Sequence, residues 1–377
     1  LTGDNAVGGS VQKAFCNGCE TLFPNAFVVV TKTTDTGGES YSYIDKYGRE
    51  IGTKTRALLG TDYVYTAAQF DSLGRPWKQF EPWRGGISTY YSTATYDELG
   101  RVSSTTGANY GVSTNSVLGY QSFVTDALGK QTSKTSDYLG QTVSTRDHDF
   151  KVLSFTYNAM GDLEKASSAN VDRIVNTYDL YGRKTNMVDV DKGSWSYVTN
   201  GFGEVISQTN GNAQTTTNTY DNGGRLVRQY DPSGTICWSY GTTAAAYNVG
   251  QLINVKQWPS SQLCTSTVTP TYQENYTYTS KSLVGSKSVL VGGNTYITST
   301  TFDSFGRPYE LTYPSYGAIA GIVVRHHYSN GGLFKLTDTA NNPYQEFKTL
   351  DNRGSVSSVA YGNGTLLTTT TQTVVAH

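Results

Sequence analysis

Tyr178-Asp179-Leu180-Tyr181-Gly182-Arg183 is the stretch whose reading decides the fold. The same pattern returns as Tyr96-Asp97-Glu98-Leu99-Gly100-Arg101 and as Tyr220-Asp221-Asn222-Gly223-Gly224-Arg225. With phenylalanine in front it reads Phe302-Asp303-Ser304-Phe305-Gly306-Arg307, and again at 70–75. Decayed copies occupy 44–49, 157–162, 199–204 and 350–355. Gly140, Gly161, Gly182, Gly203 and Gly224 step by 21 residues, and Gly285 and Gly306 keep that step. Wider steps of 26 join Gly48, Gly74 and Gly100, and also Gly306 and Gly332. A fixed period of this size marks units that bury their apolar faces only by stacking on their neighbours.

Within one period the chemistry of paired strands and turns is legible. Aspartate bonds the backbone two residues on, and glycine supplies the positive φ that a tight turn needs. A strand over 184–188 then reaches a second turn at 189–193. The return strand places Trp195, Tyr197 and Thr199 on one face by its period of two. The next turns fall at 200–203 and at Asn210-Gly211-Asn212, a strong hairpin signal. Each period is one β-hairpin of about 21 residues. The fold class is all-β: tandem antiparallel hairpins in one continuous curved or spiralling sheet, with motif turns along one edge and variable turns along the other. The motif tyrosines are expected to stack on their equivalents, with arginines over the rings.

Composition agrees. Tyr (29) and Gly (40) are abundant and Met (2) is scarce, and Thr, Ser and Val fill the rest, which suits strands. Ala244, Ala245 and Ala246 form too short a run for a helix. Charged residues are 16% with a net charge of −1 and no basic stripe, so nucleic-acid binding is not expected. No apolar run approaches 18 residues, so membrane insertion is not expected either. The chain begins Leu1-Thr2-Gly3-Asp4. That start, with no polar capping units on the array, is read as a processed protein or an internal piece of a longer one.

The phase divides the chain into an irregular start (1–34), a repeat array (35–235), an irregular insertion (236–271) and a continued array (272–377). Cys237 and Cys264 lie in the insertion; a bridge between them would close that loop. Cys16 and Cys19 read as a local disulfide or inert thiols rather than a metal pair, since no second Cys-x-x-Cys completes a zinc set. Asp231-Pro232-Ser233-Gly234 reads as one more repeat turn.

No catalytic signature accompanies the repeats. There is no Gly-x-Ser-x-Gly elbow, phosphate loop or dinucleotide fingerprint. His326 and His327 fall on opposite faces of a strand, and His148 sits between two aspartates in a turn. The expectation is a non-enzyme with no catalytic residue, cofactor or metal.

The motif and its phase resemble the Rhs, or YD-repeat, family, which includes bacterial Rhs proteins, the B and C components of Tc toxin complexes and the YD shell of teneurins. The resemblance covers 35–225 and 276–355. It implies a hollow spiral shell enclosing a polypeptide such as a toxin, in a secreted or cell-surface protein. The family's self-cleavage signature is not found at the end of this chain. Alternative readings are an adhesive surface binding glycans through exposed Tyr, Trp and Asn, or a fibre or tube self-associating through open strand edges.

Overall fold

The computed structural model describes residues 9–16, 20–86, 88–107, 111–317, 319–362 and the backbone of Leu367–Thr371. These residues form one 31-stranded antiparallel sheet. Every strand pairs with the strands before and after it in sequence, from Gly9–Phe15 through to Leu367–Thr371. The helical content of the described residues is a single 3₁₀ turn at Ala244–Ala246. Two strands, Gly234–Tyr240 and Leu252–Trp258, carry the sheet through the irregular 236–271 region, so irregular chain is confined to 241–251 and 259–271. The 1–34 segment likewise holds two strands of the sheet, Gly9–Phe15 and Val28–Thr34.

Curvature has a local cause. The strand register slips by one residue where each motif aromatic enters its turn, between Thr95 and Tyr96, Thr177 and Tyr178, Thr219 and Tyr220, and Thr301 and Phe302. A bulge of this kind bends its strand and increases the local twist. Repeated on the same edge of successive hairpins, it makes the sheet curl.

The curl brings the sheet back onto itself. Asn330 Nδ2 donates to the carbonyls of Ala57 (2.7 Å) and Gly60 (3.1 Å), 273 and 270 residues away. The Arg84 backbone N–H donates to Asn352 O at 2.7 Å, and its guanidinium reaches the carbonyls of Leu350 and Asp351. Arg353 pairs with Glu81 at 2.8 Å. These are contacts between turns, not a strand ladder, so the sheet overlaps without closing. Gly332 and Gly354 sit in this seam, where a side chain would run into Leu58 and Val64.

One circuit holds roughly two dozen strands; at ~4.8 Å per strand that is a wall about 110 Å around and about 35 Å across. Facing sheets whose side chains interlock stand only ~10 Å apart, so the wall's own side chains do not fill its interior. Exposed area agrees: 23187 Å² against roughly 15,000 Å² for a compact 41.0 kDa monomer. Among the described residues, buried apolar side chains are few. They include the Cys16, Phe23, Ala26 and Tyr43 cluster and, elsewhere, Trp258.

Candidate functional site

The repeating unit of the wall is the motif turn, and its aspartate organises it. In the 179–183 turn the Asp179 backbone N–H donates to Arg183 O (2.9 Å), and the Gly182 N–H donates to Asp179 O (3.1 Å). Asp179 Oδ1 accepts the N–H groups of Tyr181 and Arg183, while Oδ2 accepts Arg183 Nε at 2.6 Å. One carboxylate thus satisfies two backbone donors and holds an arginine. Gly182 takes a φ of 75°, the left-handed position that closes a type I turn with a G1 bulge. Asp97 with Arg101, Asp221 with Arg225 and Asp303 with Arg307 repeat the arrangement, with Gly100, Gly224 and Gly306 at φ 79°, 75° and 81°.

The arginines and backbone donors lower the carboxyl pKa values. Asp179 and Asp221 are held below the usual aspartate range first by the side-chain bonds of Arg183 and Arg225. For Asp97 the Arg101 backbone N–H comes first.

Consecutive turns are tied together in both directions. Tyr178 OH donates back to Leu163 O (2.7 Å), Tyr220 OH to Val205 O (3.0 Å) and Tyr96 OH to Pro76 O (2.5 Å). In each case the acceptor is the residue just after the preceding turn. Asn176 and Asn218 donate to the same two carbonyls, so Asn-x-Tyr is a longer unit than the six-residue motif. Forward ties come from the turn's last residue: Arg183 Nη1 reaches Asn200 O at 2.8 Å. Lys281, inside its own turn, reaches Ser304 O in the same direction.

Rings and guanidinium groups meet between repeats. Arg75 lies 4.3 Å over Tyr96, Arg225 4.4 Å over Tyr240, and Arg307 4.1 Å over Tyr328. The expected stacking of motif tyrosine on motif tyrosine is not found among the described ring contacts. Over Tyr96 the arginine of the preceding turn, Arg75, occupies the ring face instead; the turns before Tyr178 and Tyr220 end in Asp162 and Glu204 and supply no such cation. Phe302 has no hydroxyl to bond a backbone carbonyl.

The same turn serves more places than the motif marks. It recurs at 126–130, 137–141, 147–151, 210–214, 279–283 and 338–342. Phe150, Ala213, Ser282 and Asn341 take the left-handed position there, at φ 65°, 58°, 57° and 67°. Asn210-Gly211 therefore starts a five-residue motif turn rather than a tight two-residue hairpin. The tight form falls at Asn330-Gly331, both with positive φ, so Gly332 is a strand residue and not a repeat glycine. Asp231-Pro232-Ser233-Gly234 is also a tight turn, with Asp231 paired to Gly234.

Two further regions pack on the sheet. Cys16 and residues 20–27 lie over it and bury Phe23 against Tyr43, ring centroids 4.6 Å apart, over Gly52. An open recess of about 1230 Å³ lies there, lined in part by Phe70, Trp77 and Phe80. Cys16 is disulfide-bonded, and Cys19 lies outside the described residues. Cys237 and Cys264 are bonded to each other, with 5.6 Å between their Cα atoms. That bridge fastens 259–271 onto the sheet, where Thr235 Oγ1 donates to Ser260 O and Trp258 Nε1 to Val268 O. Among the described residues, no three His, Cys, Asp or Glu side chains gather as a metal set. His327 bonds Thr337 at 2.9 Å, and His148 lies 3.4 Å from Asp149.

No family model and no curated protein matches the chain. Among solved structures it is similar to the crystal structure of TcdB2-TccC3 without its hypervariable C-terminal region. The TM-score is 0.62 at 14% identity, over 90% of this chain and 22% of that one. A Photorhabdus luminescens Tc holotoxin pore with a mutated TccC3 gives 0.63 at 15%, over 90% and 22%. The likeness is one of fold. This chain spans about a fifth of the length of those it matches. No described helix is long and apolar enough to cross a membrane.

Proposed function

We propose that the chain is a non-catalytic wall segment of an Rhs-type shell, whose role is to enclose a polypeptide such as a toxin. The observation that carries this reading is the coil that returns on itself after about 270 residues around a space its own side chains do not fill. The likeness to Tc toxin components supports it. Motif residues act as structure: aspartate and glycine shape the turn, tyrosine and arginine fasten it to its neighbours. The disulfides favour a secreted or cell-surface protein, since such bonds persist in oxidising compartments.

Limited proteolysis with peptide mapping, on the intact protein made from its complete reading frame, tests enclosure. The expected result is a segment outside the wall strands that survives while exposed loops such as 259–271 are nicked. Cleavage of every such segment as fast as those loops would remove the proposal.

A further inference from the structure

The recess near Phe23 is built unlike the wall around it. It is an open space of about 1230 Å³ bounded by strands Glu50–Arg56, Tyr63–Phe70 and Pro76–Trp83, the 45–49 turn and part of 20–27. Aromatic side chains line it and stand partly in solvent: Tyr47 is 70% exposed, Phe27 50% and Trp77 39%. Their surroundings hold several of these rings in place. Arg49, fixed by Asp45 Oδ2 at 2.8 and 2.6 Å, lies 4.9 Å from the Tyr47 ring centre and 4.6 Å from that of Phe70. The Phe27 backbone N–H donates to Ile44 O at 2.7 Å, and Phe80 rests against Trp83 with centroids 5.9 Å apart.

Polar groups here are uncommitted. Asn25 and Gln69 are exposed and line the recess, and neither carboxamide has a hydrogen-bond partner among the described residues. Trp83 lines it too; it is 7% exposed, and its buried Nε1 finds no acceptor among the described residues.

This combination separates the ligand classes. A hydrocarbon chain would cover the two carboxamides without bonding them, at a cost for each polar group it buries. An extended peptide adds to a sheet through an unpaired strand edge. The three strands of the recess are each paired on both sides and offer none. A sugar ring matches both features: its C–H face lies flat on an aromatic ring, and its hydroxyl edge donates to and accepts from carboxamides.

From this we infer that the recess binds an oligosaccharide. Trp77 and Tyr47 are its stacking surfaces, and Asn25 and Gln69 its hydrogen-bonding groups. The space exceeds the roughly 300–1,000 Å³ of small-molecule pockets, which suits several sugar units rather than one. The site does not depend on whether the coil encloses a polypeptide.

An array of immobilised oligosaccharides, probed with the 377-residue chain, tests it, followed by calorimetric titration of the best-retained glycan. The native chain is expected to retain at least one glycan. Trp77→Ala and Tyr47→Ala are each expected to weaken that binding about tenfold. Gln69→Ala is expected to weaken it about threefold. Phe202→Ala, which removes an equally exposed ring far along the wall, is expected to leave it unchanged. All four variants alter exposed side chains and should keep the native circular dichroism. If Trp77→Ala does not, Tyr47→Ala and Gln69→Ala carry the test. A chain that retains no glycan would overturn the inference. So would binding that the recess variants leave intact, or binding that Phe202→Ala weakens as much as they do.

Discussion

Replacing Asp303 by alanine strips two backbone N–H groups and the Arg307 side chain of their acceptor at once. The loss should cost about 1–2 kcal/mol, read as a lower urea midpoint. Asp303→Asn should cost less, because Asn158 and Asn200 hold the same two backbone donors with Oδ1 alone. Phe150 offers the opposite sign: it occupies the glycine position at φ 65°, so Phe150→Gly should stabilise by about 1 kcal/mol. Acid should weaken the wall in a defined direction. Asp179 and Asp221 have native pKa values below the 3.8 of a free aspartate. Their contribution is therefore complete above 3.8 and disappears as pH falls through the lowered native values. Thermal midpoints measured from pH 6 downward should hold until that range and then drop, less steeply in a variant carrying both Asp179→Asn and Asp221→Asn. The aspartate and glycine roles are legible in the sequence because their partners lie within four residues. The reach of Tyr178 to Leu163 is not, since it spans most of a repeat and depends on how hairpins stack.

At the scale of the element, the hairpin is the legible unit and its curvature is not. Alternation and turn residues locate strands such as Gly193–Thr199, with Trp195, Tyr197 and Thr199 more buried than Ser196 and Val198 between them. The bulge before each motif aromatic has no residue signature of its own; it follows from fitting a five-residue turn between strands in register. Sequence places turns around His148 and at Asn210-Gly211-Asn212 but misses their five-residue motif form at 147–151 and 210–214, where phenylalanine and alanine replace glycine. The bond between Tyr178 and Leu163 O is shared by Asn176, which makes a cooperative prediction. Tyr178→Phe or Asn176→Ala alone leaves the carbonyl one donor and should cost about 0.5–1.5 kcal/mol. Both together strip it, and the pair should lose more than the sum, measured by a double-mutant cycle in urea.

At the scale of the molecule, the wall is held in a coil by turn-to-turn contacts some 270 residues apart, which no local pattern announces. Removing Arg84, which reaches Asp62, Leu350 and Asp351, should raise amide exchange at 57–62 and 351–355 while leaving mid-coil hairpins unchanged. The most direct measurement of the coil is a dipolar distance between spin labels on Thr61 and Asn352, either side of the seam. No free thiol among the described residues competes for the label. A coiled wall places the pair within roughly 15–30 Å, whereas the same strands laid flat would set them about 120 Å apart. A single short distance is the expected result; a signal lacking any distance below about 60 Å would contradict the coil.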